Sequence, residues 1–512
     1  MSSSVALPRD GAERRLAVVD MGSNTFRLVV FRYRPGGAYR LVDEVRDPVR
    51  LSRGAGPDGI RPEAIERARH TARLYAAFCA AEHIDEVDVV TTSAARDAVN
   101  RDEVLDALSA GGALPVRVLS GVEEARYGYL GAVNSTTLRD GWVLALGGGS
   151  IQATEVRDRR MGRAMSRPLG AVRMTEAFLS DDATRAGDLK ALRDHARRVL
   201  AEIDWLPSLG GNVVGIGGTI RTLARMAQKR RRYQLDELHG YRLGRHEIRE
   251  VIEAMTELPA AERSKLPGLK ADRGDITLAG AMVIATALDM AGADHVEICS
   301  QGLREGVFYE RLLAPDPDAL IDDVRRYSIL NLMDAYRCDT DHCVQVAQLA
   351  LTVYDEFSRL GLHRPDTAER ETLWAAAMLH DVGVAIDYND HHRHGYYLVL
   401  NSGLPGYPHD QIAMIALLVR SHRKALANPT PLEAVLGPDG RGRLMRLSAC
   451  LRVAEQLAQS RGVRDVRLED DGNRLLARVS DAGDPAVALW SAGRESPAVE
   501  RAVGRTLEVA PA

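Results

Sequence analysis

The amino-acid sequence predicts an α/β protein of two similar lobes, followed by an all-helical domain and a small β-rich end. Three observations predict this. Residues 16 to 30, LAVVDMGSNTFRLVV, and residues 142 to 156, WVLALGGGSIQATEV, share one plan: an apolar strand, a turn of small residues, and a second strand. Each copy is followed by alternating strand and helix signals, the mark of a partly parallel sheet. From about residue 313 the apolar residues change to helical spacing.

The elements follow in order. Two strands open the chain, a third lies near 40 to 51, GAGPDG at 54 to 59 makes a turn, and a helix runs from about 62 to 84. After the short strand VDVVTTSA, the segment TTSAARDAVN places Arg96 at the start of a helix. A guanidinium there suits a phosphate; pairing with Asp97 or Glu103 is the plainer alternative. LSGVEEARYGYLGAV at 119 to 133 opens another helix, with Glu123 and Glu124 in its first turn. Acidic residues in that position usually serve the helix dipole. The second lobe continues through VVGIGGTIRTLARM at 213 to 226 and HVEICSQGLREG at 295 to 306. The expected domains are residues 15–130 and 131–312 for the lobes, 313–464 for the helical domain, and 465–512 for a small C-terminal α+β domain. No low-complexity linker separates them, so they are expected to pack together.

A chain of 512 residues exceeds a single core, and 45% hydrophobic with 27% charged residues is ordinary globular composition. The most apolar stretch, LAGAMVIATAL at 278 to 288, ends at Asp289 and is too short to cross a bilayer. The first residues lack a secretory pattern. The expectation is a cytoplasmic protein without a membrane partner. Five cysteines without a CxxC pair argue against a disulfide framework or a zinc ribbon. A net charge of −4 gives no global attraction to nucleic acid. The densest basic run, Lys229 to Arg232, reads as a solvated helix face.

The chemistry is carried by the repeated turns. Glycine and serine let backbone N–H groups approach an anion closely, and Ser23, Thr25 and Ser150 add hydroxyl donors. One such turn is ordinary hairpin chemistry, whereas two copies of one plan point to a duplicated phosphate-binding cleft. The copies differ in one place. Asp20 closes the first strand, and Ala145 holds the corresponding position in the second.

The segments DMGSNTFRL, TTSAARDAVN, SGVEEA, LGGGSIQ, LGAVRMTE, GIGGTIRTLA, DRGDITLAGAMVI and SQGLREG occur in the order seen in the exopolyphosphatase and guanosine pentaphosphate phosphatase (Ppx/GppA) family. The chain resembles that family closely over about residues 15 to 312. AAAMLHDVG, HHRHGYYLVLNSGLPGY and LLVRSHRK resemble the longer members with an appended HD-like domain. The resemblance implies duplicated lobes of the actin, sugar kinase and Hsp70 (ribonuclease H-like) fold, and a hydrolase of phosphoanhydride bonds. It implies Glu124 as the base that activates water, with Ser23, Asn24, Arg96, Gly148, Gly149 and Ser150 as phosphate ligands. It further implies Mg²⁺ and a homodimer. The main reading is an exopolyphosphatase that releases orthophosphate from inorganic polyphosphate, and the alternative is a pppGpp phosphatase.

Members of the family usually read Asp-Ile-Gly-Gly-Gly-Ser-Thr-Glu at the second loop, where Asp and Glu serve the metal. This chain has Ala145, Leu146, Ile151 and Gln152, which leaves Asp20 as the acidic candidate for the metal. Glu155 lies three residues past Gln152 and points to the other face of its strand. The departure supports a third reading, a catalytically weakened regulator that binds polyphosphate or an alarmone. In the helical domain His342, His380 and Asp381 resemble the metal set of HD-domain phosphohydrolases, and His391, His392, His394 and His422 follow. The closing Asp is missing from RLSACLRVAEQL, which offers Glu455 instead. A structural or substrate-channel role is therefore expected for this domain, with His392, Arg393, His394, Arg423 and Lys424 as a basic surface that guides a polyanion.

Overall fold

The computed structural model describes residues 7–8, 11–179, 184–424, 426–481 and 486–512. It divides into two compact units, one of Pro8–Val324 and the other built from Arg325–Ala512.

In the first unit β1 (Arg14–Met21), β2 (Phe26–Tyr33), β3 (Tyr39–Asp47), β4 (Glu86–Thr91) and β5 (Val116–Val118) form a sheet in the order β3-β2-β1-β4-β5. The first three strands are an antiparallel meander, and β4 and β5 join in parallel. A second sheet contains β6 (Gly141–Leu146), β7 (Ile151–Arg157), β8 (Arg160–Arg167), β9 (Val213–Ile216), β10 (Arg242–Gly244) and β11 (His295–Ile298). Its order is β10-β11-β9-β6-β7-β8. Taken from the β8 edge, β8-β7-β6-β9-β11 repeats the first sheet strand for strand, with the same directions, and β10 is an antiparallel addition. The duplication visible in two hairpins thus extends to two whole lobes.

Helices cover both faces of these sheets, which is why strands such as β1 read as continuous apolar runs. Leu16, Ala17, Val18 and Val19 are fully buried. In the first lobe the helix Pro62–Ala81 packs Ala64, Ile65, Ala68, Ala72 and Tyr75 into the core. In the second the helix Thr277–Ala291 is buried nearly all round, which accounts for the apolar run at 278 to 288 as a central core helix. The third strand stops at Asp47, short of the expected 51, because the chain turns through Arg50 at φ 53°.

Three expected boundaries fall elsewhere. A division at residue 130 would cut the helix Gly121–Val133, which packs on strands of the second sheet. That helix also crosses the helix Leu303–Leu312 closely: a Cβ on Gly131 would lie 2.2 Å from Gly302 O, and one on Gly306 1.9 Å from Tyr127 O. Residues 313–324 stay with the first unit. Asn134 Nδ2 donates to Ala319 O at 2.8 Å, and its Oδ1 accepts from Ile321 N at 2.8 Å.

The third boundary, at 465, vanishes within the second unit. Its helices Val324–Ala335, Thr340–Arg359, Thr367–Leu379, His391–Asn401, His409–Ser421 and Gly440–Leu457 pack with a small sheet. The sheet contains β12 (Val463–Asp470), β13 (Arg474–Asp481) and β14 (Thr506–Pro511), β12 and β13 pairing antiparallel and β13 and β14 parallel. Glu356 in the long helix accepts from Leu468 N at 2.7 Å, and Arg452 pairs with Glu495 at 2.6 Å. Among the described residues no helix is long and apolar enough to cross a membrane.

Candidate active site

The turn between β1 and β2 (residues 22–25) and the turn between β6 and β7 (residues 147–150) occupy equivalent places in the two lobes and touch. A Cβ on Gly148 would lie 2.9 Å from Ser23 Cβ, and one on Gly149 2.3 Å from Ser93 Oγ. The carbonyls of both turns are engaged. Ser23 O and Asn24 O accept from Ser52 N and Arg50 N at 3.0 and 2.8 Å. Gly147 O and Gly148 O accept from Ala171 N and Val172 N, at the start of the helix Ala171–Phe178, at 3.0 and 2.9 Å. That approach requires glycine at 170, where a Cβ would lie 2.3 Å from Gly148 O. Among the described residues no backbone carbonyl accepts from the N–H groups of Ser23, Asn24, Gly148 or Gly149. Such donors suit an anion.

Glu124 stands beside these turns, and its position follows from a capping box. Ser120 Oγ accepts from Glu123 N at 3.2 Å, and Glu123 Oε2 accepts from Ser120 N at 2.8 Å. Glu123 therefore serves the helix start, and those hydrogen bonds hold its carboxyl below the ordinary glutamate value. One residue on, Glu124 turns inward and is 9% exposed. It accepts from Arg96 Nη1 at 3.2 Å and from Ser150 Oγ at 3.3 Å. Burial pushes its carboxyl up, with Arg96 pulling the other way. A base with a raised pKa, aimed into a cleft, is suited to accept a proton from water.

The cleft encloses about 190 Å³ and is open to solvent at its mouth. Beyond the turns it is lined by Arg27, Arg221, Arg273 and Arg304. Burial, and after it the proximity of Arg304 and Arg221, lowers Arg27 to about 10; burial, Arg27 and Arg46 lower Arg273 to about 10. Burial and Arg304 also lower Arg221. Arg304 Nη1 is buried without a hydrogen bond. Two adjoining recesses share Arg27 and Arg221 with the cleft, and one of them adds Arg46, Arg225 and Lys270. Asp20, Glu44, Asp272, Asp275 and Glu305 balance part of this charge, while the arginines still lower one another, so an entering anion would offset the remaining repulsion.

The expected residues are placed as follows. Ser23, Asn24, Gly148, Ser150, Asp20 and Glu124 line the cleft, and Gly149 packs on Ser23 and Ser93. Arg96 does not line it. Arg96 ends a single helical turn, Ser93–Arg96, and donates to Leu119 O and Glu124, so it positions the carboxylate. Glu155 is bound by Arg157 and Arg163, which hold it down to about 2, outside the cleft. The run at 229 to 232 is paired as a surface: Lys229 with Asp236 and Arg231 with Glu247, at 2.9 and 3.0 Å. The arginines of the cleft were in plain view within FRL, TIRTL, DRGD and GLREG, but only the fold brings positions 27, 221, 273 and 304 together.

The carboxylates lining the cleft are Asp20, Glu124 and Glu305. Glu124 is engaged by Arg96 and Ser150, and Glu305 accepts from Gly302 N at 2.7 Å. Ala145 offers no oxygen, and Gln152 directs its amide nitrogen to Ser150 Oγ and Ser166 Oγ, at 2.8 and 3.2 Å. Burial raises Asp20, opposed by Arg304 and Arg27. Mg²⁺ commonly sits on one or two carboxylates plus substrate phosphates, and Asp20 fits that arrangement.

Two lobes of one topology, meeting at paired glycine- and serine-containing turns, define the actin-like fold class. A profile of the Ppx/GppA phosphatase family matches residues 29–314, and one of Ppx/GppA phosphatase domain III matches residues 324–475. An exopolyphosphatase from Cytophaga hutchinsonii is similar at 23% identity and a TM-score of 0.54, covering 58% of this chain and 98% of its own. An exopolyphosphatase-like protein is similar at 25% identity and a TM-score of 0.53, with 58% and 98% covered. The PPX-GPPA enzyme of Aquifex aeolicus has 26% identity and a TM-score of 0.49, with 58% and 99% covered. This chain belongs to the Ppx/GppA phosphatase family, whose members are phosphoanhydride hydrolases.

Proposed function

We propose that this protein is a cytoplasmic exopolyphosphatase, which hydrolyses the terminal phosphoanhydride of inorganic polyphosphate and releases orthophosphate. The observation that carries the reading is the group of arginines, Arg27, Arg221, Arg273 and Arg304, that lines the cleft beside the paired turns and is extended by Arg46, Arg225 and Lys270 in an adjoining recess, which provides for several phosphates rather than one. The terminal phosphate is held by the N–H groups of residues 23, 24, 148 and 149 and the hydroxyls of Ser23 and Ser150. Glu124 takes a proton from a water in line with the anhydride. The water oxygen bonds to the terminal phosphorus as the bridging P–O bond breaks, and the shortened chain leaves with that oxygen among Arg27, Arg221, Arg273 and Arg304. Phosphoryl transfer of this kind rests mainly on positioning and charge neutralisation, so no covalent nucleophile is needed. Asp20 would hold Mg²⁺ together with the substrate's phosphates, and the ion would supply further charge neutralisation. The working form on this reading is a homodimer.

A second reading has one specific feature in its favour. The recess floored by Phe31, Tyr39 and Phe308 adjoins the arginines and could be covered by a purine, as hydrolysis of pppGpp would require. Steady-state rates on long polyphosphate and on pppGpp, measured side by side, decide. A preference for the nucleotide of about a hundredfold in kcat/KM, some 2.7 kcal/mol, would replace the first reading by the second. A third reading, a regulator that binds without turnover, rests on Ala145 and Gln152. Its mark would be tight polyphosphate binding with no phosphate release.

A further inference from the structure

A buried histidine that does not itself line the cleft ties together segments that do. His239 lies between the helix Gly218–Arg231 and β10 and is 5% exposed. Its Nε2 is 2.8 Å from Ser135 O, and its Nδ1 is 3.3 Å from Ser300 N. A carbonyl only accepts and a backbone N–H only donates, so the two contacts together require the neutral ring with its hydrogen on Nε2. We infer that His239 is a positioning residue for phosphoanhydride hydrolysis, setting the Arg221 guanidinium in the cleft through the Ser300 carbonyl. The inference rests on the reading above in which Arg221 binds polyphosphate.

Ser300 is gripped from two sides. Its N–H donates to His239, and its carbonyl accepts from Arg221 Nη1 at 3.0 Å. The residues that follow it, Gln301 to Glu305, line the cleft and include Arg304. Arg221 Nε donates to Gly217 O at 3.3 Å, at the start of its own helix. Arg304, Arg273 and Arg27 press on this guanidinium, with Glu305 opposing them. An arginine among like charges keeps its place only where something holds it. Here the holds are two backbone carbonyls, and the position of one of them depends on His239.

The surrounding backbone gives the ring a fixed footing. Glu237 Oε1 accepts from Leu238 N and His239 N, both at 2.7 Å, and Gly240 N donates to Ile298 O at 2.8 Å. Glu237 and Leu238 also line the recess that holds Arg46, Arg225 and Lys270. On the other side Ser135 follows the helix Gly121–Val133, whose first turn carries Glu124, and Ser135 Oγ donates to Gly131 O at 2.6 Å. One imidazole therefore bonds the far end of the helix that bears the base to the segment that sets the arginine. Its two nitrogens do separate work, and amide side chains reproduce them one at a time. The Oδ1 of an asparagine takes the place of Nδ1 as acceptor, and the amide nitrogen of a glutamine takes the place of Nε2 as donor.

The test uses the full chain and reads tripolyphosphate binding by calorimetry in the Glu124→Gln background, where no turnover intervenes, together with polyphosphate hydrolysis by the same variants carrying Glu124. His239→Gln keeps the donor to Ser135 and removes the acceptor for Ser300. It should weaken tripolyphosphate binding and raise KM by about tenfold, with kcat changed by less than about threefold. His239→Asn keeps the acceptor and should recover most of that loss. In an Arg221→Gln background His239→Gln should cost nothing further, because its effect passes through Arg221. Circular dichroism verifies that the variants are folded. Equal losses in His239→Gln and His239→Asn overturn the inference, as does undiminished binding in His239→Gln or a loss that persists at full size without Arg221. Nitrogen NMR of the unaltered ring should show hydrogen on Nε2 alone, and hydrogen on Nδ1 would overturn it without any variant. Tripolyphosphate binding that follows this pattern in a protein that hydrolyses no polyphosphate would refute the exopolyphosphatase reading and leave the positioning role standing. Absence of tripolyphosphate binding at millimolar concentration would refute both.

Discussion

At the scale of single residues, the adjacent glutamates divide two tasks. Glu124→Gln keeps the shape and removes the proton acceptor, so kcat should fall by about two to four orders of magnitude with KM little changed. Glu123→Gln should leave kcat nearly intact and weaken the helix cap by about 1 kcal/mol, visible in denaturant unfolding. The raised pKa of Glu124 sets the pH behaviour. Only the ionised carboxylate accepts a proton, so the acid limb of kcat/KM should lie above the ordinary glutamate range, and Arg96→Gln should move it higher still. For stability the sign is opposite. A carboxyl raised in the folded state opposes folding when ionised and stops doing so as pH falls through that raised value. Glu124→Gln should therefore raise Tm at neutral pH, with the gain shrinking in acid. That Glu124 and the paired turns would share one cleft was legible because each sits in a short local pattern. The arginines were not, since four positions spread over nearly three hundred residues acquire meaning only from the fold.

At the scale of elements, the second turn depends on how tightly the helix Ala171–Phe178 seats against it. Gly170→Ala puts a methyl against the Gly148 carbonyl and should cost about 1 to 3 kcal/mol while raising KM for polyphosphate, as that carbonyl shifts and the adjacent N–H groups lose their aim. The β6–β7 hairpin allows a converse change. Ala145 and Gln152 are paired across it, so Ala145→Asp with Gln152→Glu adds two carboxylates to one place in the cleft. The double variant should show a stronger dependence of rate on Mg²⁺, measured as a lower half-saturating concentration, whereas a non-catalytic regulator would begin to turn over only after this change. Strands and long helices were readable from their periods, but the allegiance of the helix Gly121–Val133 was not. Its apolar face fits either lobe, and the glycine crossing at Gly131 and Gly306 joins partners remote in sequence.

At the scale of the molecule, the divide lies after Val324 rather than at 312. A chain ending at 324 keeps the clasp between Asn134 and residues 319 to 321, whereas one ending at 312 exposes the buried Asn134 side chain without partners. The longer fragment should fold and hydrolyse short polyphosphates; the shorter should be less stable by about 1 to 3 kcal/mol. The long fragment should also lose its preference for long polymers, if the helical unit supplies the basic surface expected of it. Part of that surface is already spoken for. His392 is buried and lowered to about 4, chiefly by burial, and Lys424 pairs with Asp390 at 2.5 Å.

The crowded arginines also bear on how the protein behaves in a test tube. The fold holds these like charges close together in the cleft, and a small oxyanion bound among them offsets their mutual repulsion. Melting temperature should therefore depend on the buffer, rising in phosphate or sulfate over chloride at equal ionic strength, by the mass-action gain expected of ligands selective for the native state. Orthophosphate, the product, belongs to that group, and so should act as a competitive inhibitor that slows the enzyme as hydrolysis proceeds.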